Sequence, residues 1–171
     1  MSHLAVTVLG HDRPGIIATA AAALAGCGMN LEDSSMTLLR GHFAMTLICA
    51  GGAGAAQVEA ALSPLVDGAL SVDVRELPVE TEGEPLGELY LVTVHGADRL
   101  GIVARLAGTI ASAGGNITDL TTRLSGDLYV LLAEVDLAPG SDVAAFHTMV
   151  TGVAAELGVD AGVRLLERDE L

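Results

Sequence analysis

Apolar and β-branched residues dominate His3 to Leu9 and again Glu88 to His95, and each run stops at a glycine, Gly10 or Gly96, as a buried strand does. The period then changes. Ile16, Ile17, Ala20, Ala21, Leu24 and Ala25 recur at helical spacing, as do Ile102, Val103, Leu106, Ala107, Ile110 and Ala111. Both helices run into glycines, Gly26 and Gly28 in one case, Gly114 and Gly115 in the other. Two strand-like runs follow in each half, Asn30 to Leu39 with His42 to Ala50, and Asn116 to Leu124 with Leu128 to Asp136. Short turns at Gly41 and Gly126 make them hairpins. A second helical pattern comes next, at Val58, Ala61, Leu62 and Leu65 and at Val143, Phe146, Val150, Val153 and Leu157. Leu70 to Leu77 and Val159 to Leu166 close each half as strands. The pattern predicts an α+β chain with βαββαβ written twice, a ferredoxin-like arrangement with both helices on one face of an antiparallel sheet.

Sliding the sequence against itself by 86 residues lays Val6, Thr7, Val8, Gly10, Asp12, Arg13, Gly15 and Ile16 on Val92, Thr93, Val94, Gly96, Asp98, Arg99, Gly101 and Ile102. Further on, Ala18, Gly28, Asn30, Asp33 and Leu38 fall on Ala104, Gly114, Asn116, Asp119 and Leu124. A period this long signals two copies of a whole domain, since solenoid units repeat every 20 to 50 residues. The expected division is a first domain over 1–77, an exposed acidic linker over 78–87 bracketed by prolines, and a second domain over 88–171. Each half is small for a helix-backed sheet. Sideways pairing of sheets and a homodimer are therefore expected as protection for their edges.

Composition narrows the function. Aromatic residues make up 2% of the 171, so base stacking on aromatic platforms is close to excluded. Eight basic residues against 22 acidic ones give a formal charge of −14 without a Lys/Arg cluster, which opposes direct binding to nucleic acid or to an anionic membrane. Gly41 to Val58, the longest stretch free of charged residues, is interrupted by Gly51, Gly52 and Gly54 and makes a poor membrane span. Cys27 and Cys49 have no CxxC spacing, and Met1 to Gly10 lacks the marks of a signal peptide; a cytoplasmic home is expected.

The strongest local signal is GHDRPGI, Gly10 to Ile16, echoed by GADRLGI, Gly96 to Ile102, at the turn from the first strand into the first helix. A helix N-terminus presents unpaired N–H groups and the positive end of a dipole, so such a turn can hold a carboxylate. Gly15 and Gly101 let a ligand approach the backbone. The plainer alternative is that Asp12 and Asp98 cap the helix, Pro14 fills its first turn and the glycines serve packing. Asn30 and Asn116, fifteen residues beyond Gly15 and Gly101, offer a donor and an acceptor, or serve as turn residues. Together they sketch a zwitterion site in which helix N–H groups take a carboxylate and Asp12 or Asp98 with an Asn takes an ammonium.

Catalytic chemistry finds no support. The histidines His3, His11, His42, His95 and His147 are scattered, and none recurs at the 86-residue offset. No HExxH or Cys/His metal spacing, no G-x-S-x-G, no GxGxxG and no Walker loop occurs, so neither a metal nor a cofactor is expected. Cys27 and Cys49 read as buried free thiols.

The DRPGI loop, the Gly-terminated helix and the strand starts GMNL (Gly28 to Leu31) and GGNI (Gly114 to Ile117) resemble tandem ACT domains over nearly the whole chain. With nothing else attached, they most resemble the glycine cleavage system transcriptional repressor family. That resemblance implies a non-catalytic amino-acid sensor acting on a transcription activator by protein contact. It carries ligand binding to Asp12, Arg13, Pro14, Gly15 and Ile16 with Asn30, and to Asp98, Gly101 and Ile102 with Asn116, at an interface between paired domains. Glycine or serine is the expected ligand. The chain departs from serine-sensing ACT domains, which usually carry His where Gly10 and Gly96 stand and Asn where Asp12 and Asp98 stand. Leu100 replaces the motif proline in the second copy. A detached regulatory subunit of a metabolic enzyme is the alternative. A deformylase fragment would need a catalytic domain that these residues do not contain.

Overall fold

The computed structural model describes residues 2–78 and 87–166. The chain divides into two compact units, Met1–Thr81 and Glu82–Leu171. Most of the expected linker 78–87 lies outside the described residues.

In the first unit the order is β1 (Ser2–His11), α1 (Ile16–Gly26), β2 (Met29–Leu39), β3 (His42–Gly51), α2 (Ala55–Leu62), a 3-10 turn (Ser63–Leu65) and β4 (Leu70–Glu76). The second repeats it as β5 (Glu88–Ala97), α3 (Ile102–Ser112), β6 (Gly115–Ser125), β7 (Leu128–Leu137), α4 (Val143–Leu157) and β8 (Asp160–Leu165). The sheets run β2-β3-β1-β4 and β6-β7-β5-β8, antiparallel at every pairing. The expected α+β, ferredoxin-like βαββαβ order is therefore present twice.

Alternation decides which face of each sheet is covered. Leu4, Val6 and Val8 on β1 and Phe43, Met45, Leu47 and Cys49 on β3 are buried with Ile16, Ala20 and Leu24 of α1 and Val58 and Leu62 of α2. The helix residues recur every four positions, so one narrow stripe does the packing. Ile17, read above as part of that stripe, is half exposed. In the second unit Val92 and Val94, Leu131, Ala133 and Val135, then Ile102, Leu106 and Ile110, with Phe146 and Val150, form the equivalent core.

The outer strands β2 and β6 each carry one extra residue. Pairing with the neighbouring strand shifts between Leu31 and Asp33 and, 86 positions on, between Ile117 and Asp119, leaving Glu32 and Thr118 in β-bulges.

Candidate functional site

The loop after β1 is held from three sides. His11 N–H donates to Ala69 O at 3.0 Å and Asp12 N–H to Gly41 O at 3.3 Å. The Arg13 guanidinium donates to the Asp67 carboxylate. That guanidinium, followed by the Ala69 and Leu70 N–H groups, holds the Asp67 carboxyl below the usual carboxylate range. In the second unit Arg99 turns the same way: a Cβ added at Gly158 would meet its guanidinium carbon at 3.2 Å. Gly158 closes α4 in the left-handed conformation with φ 68°.

Neither aspartate caps its helix. Gly15 occupies the N-cap of α1 at φ 94° and Gly101 that of α3 at φ 91°, and no side chain caps either helix. The capping alternative for Asp12 and Asp98 is thereby excluded, and Pro14 lies ahead of the N-cap. The glycines are required by the left-handed turn rather than by packing, since a Cβ at either would meet nothing within 4 Å. The first helical bonds run from Thr19 N–H to Gly15 O at 2.9 Å and from Arg105 N–H to Gly101 O at 3.0 Å. The N–H groups ahead of them lack an intrahelical acceptor.

Each loop borders a shallow groove. The first, about 490 Å³, is lined by Asp12, Arg13, Pro14, Gly15 and Ile16, with Met36 and Phe43 from the β2–β3 hairpin. The second, about 620 Å³, takes Asp98, Arg99, Gly101 and Ile102 with Tyr129. Leu100, where the first loop has Pro14, is fully exposed. Phe43 and Tyr129 were missed in the sequence, although they are aromatic residues exactly one repeat apart in a chain with only four.

Asn30 and Asn116 line neither groove. Asn30 pairs with Ala50 near the end of β3, whereas the loop leaves the sheet beside His42 at its start. The two are separated by the length of β3 from Ala50 to His42, about 27 Å at the rise of an antiparallel strand. Asn116 stands likewise, opposite Asp136. Within one unit an asparagine and its loop are therefore too far apart to touch the same small amino acid. The left-handed residues after the helices are Gly28 and Gly114, so turn geometry does not explain the asparagines either.

Elsewhere the chemistry is quiet. Burial, with a smaller effect of Glu32, pushes the Cys49 thiol up, and Cys49 Sγ contacts Leu4 O at 3.5 Å. Cys27 is half-buried and free. No helix among the described residues is long and apolar enough to cross a membrane.

The family model described as "ACT domain" matches residues 2–74 and 88–164. The glycine cleavage system transcriptional repressor of Escherichia coli (strain K12) is 28% identical over 122 residues, covering 71% of this chain and 64% of that repressor. A crystal structure of an unknown protein from Galdieria sulphuraria superposes with a TM-score of 0.81 at 26% identity, covering 97% of this chain and 99% of that one. A structure named for the glycine cleavage system transcriptional repressor superposes at 0.72 over 98% of both chains; at 18% identity it bears on the fold alone.

Proposed function

The chain belongs to the ACT domain family, and from that premise we propose that it is a non-catalytic regulatory protein that binds a small amino acid and acts through protein contacts on the transcription of glycine-cleavage metabolism. The observation that carries the ligand half of this reading is the repeated uncapped helix start. At Gly15 and Gly101 the backbone leaves N–H donors facing a groove beside an aspartate. A carboxylate gains charge-assisted hydrogen bonds from such donors, and Asp12 or Asp98 supplies the negative partner for an ammonium. The protein-contact half rests on similarity to the Escherichia coli repressor and on the charge of −14, which disfavours contact with DNA.

Glycine offers five non-hydrogen atoms, and at no more than about 1.5 kcal/mol for each its affinity is no tighter than about micromolar. Calorimetric titration of the full chain with each of the twenty amino acids tests the binding step. Heat with glycine or serine, with affinity at the first groove at least tenfold weaker in Asp12→Ala, is the expected result; no heat and no melting shift with any amino acid at millimolar concentration overturns it. Affinity capture from the native cell tests the partner, with a transcription activator expected and a biosynthetic enzyme favouring the regulatory-subunit alternative.

A further inference from the structure

The last rung of the β1–β3 ladder places His11 directly opposite His42. Their ring centroids lie 5.0 Å apart with planes inclined at 42°. Both side chains are exposed. They share the sheet face away from the helices, because the next residue, Phe43, points into the core. At the same rung of the second unit Ala97 faces Leu128, so the pair is particular to the first.

Neutral imidazole is the commonest nitrogen ligand for zinc and its neighbours, with a metal–nitrogen distance of about 2.0–2.1 Å. Adding about 1.1 Å from ring nitrogen to ring centre puts each centroid about 3.2 Å from a shared ion. Two such lengths span up to about 6.4 Å, so centroids 5.0 Å apart lie within reach of one ion. We propose that His11 and His42 form a binding site for one divalent transition-metal ion of the zinc type, at the point where the chain leaves β1 for the Asp12 loop.

The rung is well prepared for this. Both residues sit on paired strands, and the two-residue turn Arg40–Gly41, at φ 51° and 83°, fixes the approach of β3. Asp12 N–H holds the carbonyl of Gly41, the residue before His42. Of the nearby cationic residues, Arg13 is engaged by Asp67, and Arg40 is exposed in the turn. The charge of −14 favours cations over the molecule as a whole. No group of three or more His, Cys, Asp or Glu side chains gathers among the described residues. An ion held by these two imidazoles would take its remaining ligands from water, one protein ligand fewer than an open zinc site of the usual kind.

Zinc chloride titrated into the full chain by calorimetry, in a buffer that does not chelate, provides the test. The expected result is one ion per chain, an affinity at least tenfold weaker in His11→Ala and in His42→Ala, and no change in His147→Ala. Melting curves without metal check that the alanine variants remain folded, and added zinc should raise the melting temperature of the unmodified chain but not of those variants. No uptake of zinc, or uptake that survives both alanine substitutions, overturns the proposal.

Discussion

The guanidinium of Arg13 donates to Asp67 Oδ2, a carboxylate whose other oxygen accepts the N–H groups of Ala69 and Leu70, both at 3.1 Å. One side chain thus fastens the loop after β1 to the turn before β4. Arg13, carried over from the family resemblance as a ligand contact, gives one of its guanidinium N–H groups to this bond and also lines the groove.

Asp67→Asn is expected to lower the melting temperature at neutral pH. The folded protein holds this carboxyl below its unfolded value, so its contribution is present above that value, near 3.9, and is lost as the pH falls through the lower folded one. Melts recorded from pH 7 downward should show the gap between variant and unmodified chain closing below about pH 4.

Asp12→Ala separates recognition from stability. Since Gly15 rather than Asp12 holds the N-cap, stability in urea should change by no more than about 0.5 kcal/mol, while calorimetric affinity for glycine or serine falls at least tenfold. A loss of about 1 kcal/mol with binding intact would instead indicate a cap.

Asp142→Ala is the matching control. Asp142 is the N-cap of α4 and accepts from Ala145 N–H at 2.9 Å, so its removal should cost about 1 kcal/mol in urea denaturation without touching either groove.

The glycines should rank by what surrounds them. Gly15→Ala and Gly101→Ala add a Cβ in open space and carry only the left-handed penalty, about 1–2 kcal/mol. At Gly10 a Cβ would lie 2.0 Å from Ala69 O, a backbone atom, so Gly10→Ala should cost about 3 kcal/mol or more. Gly96→Ala meets Val159 Cγ1 at 2.7 Å with the Val159 backbone no nearer than 3.1 Å, and should cost less than Gly10→Ala, where the obstacle is backbone throughout. Denaturation midpoints of the four variants check the order.

Much of this fold was legible because local periodicity and the repeat agreed at every element. Leu4, Val6 and Val8 alternate, Ile16, Ala20 and Leu24 recur every four, and both patterns return one repeat later. The site was legible only in part. DRPGI was visible as a motif, but an aspartate ahead of a helix suggests a cap, and only backbone angles reveal that Gly15 takes that place. Asn30 looked close to Asp12 because sequence separation carries no strand register; antiparallel pairing sends the two to opposite ends of the sheet. His11 and His42 escaped notice for the opposite reason, since register brings together what the chain keeps 31 positions apart.

The bulge at Glu32 sets the odd–even parity of everything after it on β2. Asn30 stands opposite Ala50, and if Glu32 took a regular place in the ladder instead of bulging, Met36 would fall opposite Ala44, on the face away from the helices. With the bulge, Met36 stands opposite Met45 and reaches the groove wall. Thr118 does the same on β6, bringing Leu124 opposite Tyr129. Deleting the bulged residue is therefore the mild change: it joins Leu31 to Asp33, or Ile117 to Asp119, in regular pairing and leaves Met36 opposite Met45 and Leu124 opposite Tyr129, whereas one residue inserted between the bulge and Met36 would turn the distal half of the strand inside out and strip the groove of one wall.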